Sequence, residues 1–138
     1  MKKRIIACTV LTAMALTGCG SKGFTGEKVG EVAGGFGGTT KATVKFEDGK
    51  PVSVEIDNID DNGGSKIEAS KEGTYDMHNA PGKKWHEQID LLEDAIVSNE
   101  FDLSKLNITD GKTDAVSGVT ISVQEYVDAV QNALNQAK

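Results

Sequence analysis

Apolar and polar residues alternate along two short stretches in the first half of the chain, as they do in half-buried strands. The two stretches flank Glu47-Asp48-Gly49-Lys50, whose central Asp-Gly pair is typical of a two-residue hairpin turn. The pattern therefore predicts an antiparallel β-hairpin over residues 40–56. Its apolar positions are Ala42, Val44, Phe46, Val52, Val54 and Ile56.

In the second half, apolar residues recur every three or four positions, which predicts amphipathic helices over residues 82–98 and from Ser122 onward. Ser122 is followed three residues later by Glu125, the pattern of a capping box, so the last helix is expected to start at Ser122. The apolar stripes are Trp85, Ile89, Leu92 and Ile96 in the first helix and Val123, Tyr126, Val127, Val130, Ala133 and Leu134 in the second. The hairpin and these helices together predict an α+β fold, a small antiparallel sheet with helices packed on one side.

The remaining segments carry weaker patterns. Residues 57–65 read as a polar loop, whose acidic residues lack the spacing of an EF-hand. Residues 66–75 have few apolar side chains and predict a loop or a short strand, and residues 99–111 predict a loop with apolar plugs.

The N-terminus has the pattern of an export signal. Three cations at positions 2–4 precede an apolar run over residues 5–16, too short for a permanent membrane span. Leu16-Thr17-Gly18-Cys19 is similar to a bacterial lipobox, which implies cleavage before Cys19 and acylation of its thiol. The expected organisation is a signal peptide over residues 1–18, an acylated Cys19 with a glycine-rich tether over 19–38, and a domain over 39–138. A plain signal peptide with an incidental cysteine is the alternative.

Cleavage changes the charge and the chemistry open to the chain. It would leave 120 residues and, because three cations and no acid are removed, take the formal charge from −6 to −9. So acidic a chain would repel nucleic acid. Of its two cysteines, Cys8 leaves with the signal and Cys19 carries lipid, which excludes disulfides and cysteine-ligated clusters. Redox chemistry in this protein would then require a bound cofactor.

Shortly before the last predicted helix lies the segment Asp114-Ala115-Val116-Ser117-Gly118-Val119-Thr120. Gly118 permits a tight turn, and Thr120 stands just ahead of the predicted helix start. Unpaired N–H groups and the helix dipole favour a phosphate at such a place. An ordinary, well-capped connection is the alternative interpretation.

This segment resembles the flavinylation motif of FMN-binding domains, with Val119 where alanine is commonest. Such domains occur in the C subunit of the sodium-pumping NADH:quinone reductase and in flavin-bearing lipoproteins. The resemblance implies FMN covalently bound to Thr120 through a phosphoester, with Asp114, Ser117, Gly118 and Val119 completing the motif. It also implies a magnesium-dependent flavin transferase that takes FMN from FAD.

Residues 75–88 resemble a segment of the same lipoproteins, which makes Met77 and Trp85 candidates to contact the isoalloxazine. The simplest interpretation of Trp85 is a core anchor. Lys83 and Lys84 fall in the predicted first helical turn, where a nearby phosphate would offset the unfavourable dipole. His78 and His86, the two histidines of the chain, lack the spacing of a metal site, and no metal is expected.

The resemblance implies an electron carrier at the extracytoplasmic face of the cell membrane, held there by acylated Cys19. Its electron donor would be a membrane quinone or NADH dehydrogenase-type complex. The sequence contains no self-sufficient catalytic set, so the chain is expected to be a carrier rather than an enzyme. A ligand-binding or adhesive lipoprotein without a cofactor and a protein that binds FMN non-covalently are the alternatives.

Overall fold

The computed structural model describes residues 23–35, 37–77 and 82–138. Within them the chain forms a three-stranded antiparallel sheet, a two-stranded ribbon, three α-helices and one 3₁₀ helix. In chain order the elements are β1 (Gly26–Ala33), β2 (Thr39–Glu47), β3 (Lys50–Ile59), α1 (Lys66–Glu72), α2 (Trp85–Ser98), the 3₁₀ helix (Leu103–Leu106), β4 (Ile108–Thr109), β5 (Lys112–Thr113) and α3 (Gln124–Asn135). The predicted α+β fold is confirmed.

The sheet has the order β1-β2-β3, and one face of it forms the core. Ala42, Val44 and Ile56 are fully buried, whereas the residues that alternate with them are at least partly exposed. α3 packs over β1 and β2, and α2 packs against β3. The β2–β3 hairpin is confirmed: Asp48 and Gly49 both have positive φ, 51° and 78°, as a two-residue turn of the type I′ requires.

Strand β1 differs from the sequence interpretation, which assigned residues 19–38 to a tether. It pairs with β2 along its whole length, from Gly26 opposite Phe46 to Ala33 opposite Thr39. A Cβ at Gly30 would lie 1.8 Å from the carbonyl oxygen of Ala129 in α3. This glycine therefore permits close contact between a strand and a helix, rather than flexibility.

Side chains of α2, of α3 and of the residue that follows α3 form hydrogen bonds with the two outer edges of the sheet. On β1, the carbonyl oxygens of Val29 and Glu31 accept hydrogen bonds from Gln136 Nε2 (2.7 Å) and Asn132 Nδ2 (3.1 Å). On β3, the N–H of Ile56 donates to Glu93 Oε1 over 2.6 Å. Unpaired strand edges invite association with other chains, so these contacts protect the sheet.

Residues 66–75 are helical rather than a loop or strand over most of their length. The Ser65 hydroxyl accepts the N–H of Glu68 (3.2 Å), and Gly73 ends α1 in the left-handed conformation, with φ 82°. Capping residues rather than an apolar stripe define this short helix, so periodicity alone missed it.

Helix α3 begins at Gln124, and the predicted capping box at Ser122 is wrong. The Ser122 hydroxyl donates to the carbonyl of Gly111 (3.3 Å), and the Glu125 carboxylate accepts the N–H of Gly35 (2.6 Å). Both side chains make tertiary contacts that a local pattern cannot indicate. Helix α2 likewise begins at Trp85, three residues later than predicted.

Several predictions fall outside the described residues: the signal peptide over residues 1–18, acylation of Cys19, and any role of His78. No helix in the described part of the chain combines the length and the apolar character needed to cross a bilayer.

Candidate functional site

The segment from Asp114 to Thr120, called here the acceptor loop, is attached to the core by its two valines. Val119 is buried and Val116 packs against the core, while the N–H of Val119 donates to the carbonyl of Val116 (3.3 Å). Gly118 lies at the third position of this turn with φ +87°, which an L-residue side chain disfavours. Asp114, Ser117, Gly118 and Thr120 are exposed.

Thr113 fixes the N-terminal end of the acceptor loop. Its buried hydroxyl donates to the carbonyl oxygen of Leu106 and accepts the N–H of Ala115 (3.2 Å). These two hydrogen bonds hold the start of the acceptor loop against the residues around the β4–β5 ribbon.

Gln88 of α2 fixes the other end. This residue is 2 % exposed, and its Oε1 accepts the N–H of Thr120 (2.7 Å) and of Ile121 (3.2 Å). Sequence reasoning missed Gln88. The available signal was one uncharged polar residue within the apolar stripe of α2, because such residues are rarely buried without partners.

These contacts correct the expectation of unpaired N–H groups around Thr120. The N–H groups of Thr120 and Ile121 donate to Gln88, and that of Val123 donates to the carbonyl of Gly111 (2.7 Å). Since α3 begins four residues after Thr120, its N-terminus is also farther along the chain than predicted. A phosphate at Thr120 would therefore rely on side chains rather than on those backbone donors.

A cavity of about 490 Å³ opens beside Thr120, within the size range of cofactor sites. It brings together three residues proposed from the sequence: Thr120, Met77 and Trp85. The other motif residues, Asp114, Ser117, Gly118 and Val119, do not line it. The cavity, called here the Thr120 cavity, is lined by Gly35, Lys66, Tyr75, Met77, Trp85, Lys112, Thr120, Ile121, Ser122, Glu125 and Tyr126.

Buried aromatic rings form the floor of the Thr120 cavity, and half-buried side chains form its walls. Trp85 and Tyr126 are 2 % and 4 % exposed, whereas Tyr75, Met77 and Ile121 are half-buried. Trp85 is therefore the core anchor expected from the sequence as well as a residue of the cavity. An apolar floor with a thioether and a phenol at its side suits a flat aromatic ligand.

Cationic groups accompany this apolar lining, although the chain as a whole is acidic. The ammonium of Lys66 lies 4.5 Å from the ring centroid of Tyr75 and 4.8 Å from that of Trp85. Lys112 also lines the Thr120 cavity. A Cβ at Gly118 would lie 3.4 Å from Lys83 Cε, so the stem of Lys83 passes beside the acceptor loop. Lys83 and Lys84 precede α2, rather than lying in its first turn.

A second cavity of about 380 Å³ adjoins the first and shares Lys66, Tyr75 and Glu125 with it. Its far side is the loop after β3. There the N–H groups of Gly64 and Asn62 donate to the Asp60 carboxylate at 2.8 Å and lower its pKa. The Glu125 carboxylate is held between the cavities by the N–H of Gly35 and, at 3.4 Å, by the hydroxyl of Thr40.

Among the described residues, no group of three or more His, Cys, Asp and Glu side chains is arranged to hold a metal ion. The ring of His86 instead contacts Ser70, with 2.8 Å between Nδ1 and Oγ. Ser70 is buried, so this contact connects α1 to α2.

Fold and site define a class: a small α+β domain with an exposed hydroxyl at the rim of a cofactor-sized, partly aromatic cavity. The family model of the FMN-binding domain matches residues 35–135, and the chain therefore belongs to that family. It is accordingly a flavin-binding protein, and FMN is the flavin that the family binds.

The chain is also similar to individual proteins, one compared by sequence and one by structure. A carbohydrate-binding domain-containing protein of Acetivibrio thermocellus is 29% identical over an alignment of 147 residues. The alignment covers the whole of this chain and 46% of that protein. The chain thus spans less than half the length of this relative. A solution NMR structure of a structural-genomics target from Clostridium thermocellum is 32% identical, with a TM-score of 0.59. That comparison covers 83% of this chain and 92% of the other.

Proposed function

We propose that the protein is a membrane-anchored, extracytoplasmic electron-transfer flavoprotein that carries FMN covalently on Thr120. The observation that carries this proposal is the position of Thr120, exposed at the rim of a cavity whose lining includes Met77, Trp85 and Tyr126. A hydroxyl there can bear a phosphoester while the attached ring system lies against the cavity lining.

The residues in and beside the cavity fit both the isoalloxazine and the phosphate of FMN. Half-buried Tyr75, Met77 and Ile121 offer apolar surface to the isoalloxazine. Lys112 in the cavity and Lys83 beside the acceptor loop would offset the charge of the phosphodiester. When bound, the flavin supplies one- and two-electron redox chemistry, and the protein orients it.

Attachment requires a separate flavin transferase. The Thr120 oxygen would form a bond to the FMN phosphorus of FAD, the pyrophosphate bond would break, and AMP would leave. The hydroxyl proton would pass to a base of the transferase, because a threonine hydroxyl is a weak nucleophile at its normal pKa. Exposed Asp114 and Ser117 are the motif residues open to recognition by that enzyme.

A covalent bond suits a carrier outside the cytoplasm. Where free flavin is scarce, a reversible site would be mostly empty, since its occupancy follows the ligand concentration. Acylation of Cys19 would keep the domain at the membrane, near a quinone or NADH dehydrogenase-type donor. Two or three acyl chains suffice for stable anchoring.

The test is to express the full chain with and without a flavin transferase and to measure its intact mass. We expect a yellow protein about 440 Da heavier only with the transferase, the mass of one FMN moiety. Thr120→Ala should remove the added mass, and Ser122→Ala, which alters another hydroxyl of the same cavity, should keep it.

A colourless wild-type chain of unmodified mass would refute the proposal. Flavin released by denaturation would indicate non-covalent binding instead. The chain has a single tryptophan, Trp85, so quenching of its emission in the loaded protein, but not in Thr120→Ala, would place the flavin in this cavity.

A further inference from the structure

We infer that Gln88 is the positioning residue that holds Thr120 ready to accept flavin. This inference rests on the proposed function. Gln88 lies in the first turn of α2, and its side-chain amide spans the gap to the acceptor loop, 32 residues away in sequence.

The orientation of this amide follows from its partners. Gln88 Nε2 donates to the carbonyl oxygen of Lys83 (3.0 Å), which can only accept. On the other side, Oε1 faces the N–H groups of Thr120 and Ile121, which can only donate. A flipped amide would place acceptor against acceptor and donors against donors, so only one orientation satisfies all three contacts.

Packing alone does not require a glutamine at this position. The neighbouring buried residues of α2 are Trp85, Ile89 and Leu92, and an aliphatic side chain would continue their apolar face. Burying an amide in such surroundings is unfavourable unless its polar atoms are paired. In Gln88 both polar atoms have partners, and Oε1 is paired with the backbone of Thr120 and Ile121.

Gln88 Oε1 also lies 3.4 Å from the oxygen of the Thr120 hydroxyl, which donates to it. This contact directs the hydroxyl hydrogen toward Gln88, while Thr120 itself stays exposed and accessible to another protein. An amide carbonyl is not a base at neutral pH, so Gln88 positions the hydroxyl and does not remove its proton.

Gln88 Oε1 keeps hydrogen-bond partners after flavin is attached to Thr120. Forming the phosphoester removes the hydroxyl hydrogen, and with it the 3.4 Å contact. The two N–H groups still donate to Oε1, at 2.7 and 3.2 Å, so no buried acceptor loses all its partners. Gln88 can therefore hold the loop in one conformation before and after flavin is attached.

Two substitutions test this role in the full chain, incubated with the transferase and FAD. Gln88→Met keeps the length of the side chain but removes the amide, and Gln88→Glu keeps an acceptor oxygen for the two N–H groups. We expect the initial rate of covalent flavin incorporation to fall at least about tenfold in Gln88→Met, because small displacements of a reacting group are costly. Gln88→Glu loses the hydrogen bond to the Lys83 carbonyl but keeps an acceptor for Thr120 and Ile121, so it should incorporate flavin faster than Gln88→Met.

A second measurement separates positioning from stability. Amide hydrogen exchange in the flavin-free chain should be faster at Thr120 and Ile121 in Gln88→Met than in the wild type. Ile96 is buried two turns farther along α2, away from the acceptor loop. Ile96→Val and Ile96→Ala therefore lower stability to two different extents, and both should incorporate flavin at the wild-type rate.

A wild-type rate in Gln88→Met, or an equal loss in an Ile96 variant of matched stability, would overturn the role of Gln88. In either case a flavinylated wild-type chain would leave the proposed function standing. A wild-type chain that accepts no flavin would instead refute the proposed function, and the inference with it.

Discussion

The indole N–H of Trp85 donates to the phenol oxygen of Tyr126 over 3.2 Å, and the two rings meet edge to face with their centroids 5.9 Å apart. This contact joins α2 to α3 at the floor of the Thr120 cavity. Burial raises the pKa of Tyr126 above its ordinary value, so the phenol stays neutral well beyond physiological pH. The cavity floor is thus part of the core, and its shape depends on how the two helices pack.

Tyr126→Phe should destabilise the protein by about 1–3 kcal/mol, because it keeps the ring but leaves the buried indole N–H without an acceptor. Urea denaturation followed by the emission of Trp85 measures this loss. Tyr75→Phe is the control, since Tyr75 is half-buried beside the same cavity, and it should lose much less. Equal losses in the two variants would show that the Trp85–Tyr126 hydrogen bond is not the cause.

Gly118→Ala should slow flavin incorporation and lower stability by about 1–2 kcal/mol, the usual cost of a side chain in the left-handed region. The new Cβ would lie 3.0 Å from Leu91 Cδ1, so either the Leu91 side chain or the acceptor loop must move by a few tenths of an ångström. Intact-mass time courses measure incorporation, and urea denaturation measures stability.

Gly63→Ala is the matched control for Gly118→Ala. Gly63 has a nearly identical φ of +86°, but a Cβ there would meet no heavy atom within 4 Å. Gly63→Ala should lose about as much stability as Gly118→Ala and should incorporate flavin at the wild-type rate. Equal slowing in both variants would mean that general destabilisation, and not the acceptor loop, controls the rate.

Gly30→Ala should be severely destabilising, by about 3 kcal/mol or more, at the upper end of overpacking effects. Its Cβ would lie 1.8 Å from Ala129 O and 2.5 Å from Ala133 N, and these backbone atoms can move only if α3 leaves β1. Urea denaturation checks this. Gly35→Ala, whose Cβ would contact only Glu125 Oε2 at 3.1 Å, should be much milder. A mild Gly30→Ala would argue against close packing of β1 on α3.

Stability should fall as the pH rises from about 4.5 through about 7, because of Glu93. Burial, aided by nearby carboxylates, raises its pKa from 4.5 to about 7, although the N–H of Ile56 opposes the shift. The folded state therefore binds the Glu93 proton more tightly than the unfolded state does. This contribution is complete below about pH 4.5 and is lost as the pH rises through about 7.

Glu93→Gln keeps an acceptor for Ile56 and removes the titration. We expect it to flatten the pH dependence of the free energy of unfolding and to exceed the wild type in stability at pH 8. Denaturation at several pH values between 4 and 8 measures both effects. Glu72→Gln removes an exposed carboxylate at the end of α1 and should leave the wild-type slope unchanged. A similar slope in wild type and Glu93→Gln would contradict this assignment.

Local patterns predicted the elements whose sequence alone favours one conformation. The Asp48-Gly49 turn formed as expected because both residues tolerate positive φ, and the stripe of α2 formed because its apolar residues share one face. The same patterns failed for β1, where glycine reflects contact with α3, and at Ser122 and Glu125, whose side chains bind distant partners. A window of neighbouring residues contains no information on such contacts.

The sequence by itself determined the α+β class, the hairpin, the amphipathic helices and, through Asp114–Thr120, the resemblance to FMN-binding domains. Only the tertiary structure placed Thr120 beside a cavity with Met77 and Trp85, and only it assigned Gln88 a part in holding the acceptor loop. The physical reason is range. Turn geometry and helix amphipathicity arise from residues a few positions apart, whereas the buried amide of Gln88 contacts a residue 32 positions away and the cavity brings together Gly35 and Glu125, 90 positions apart.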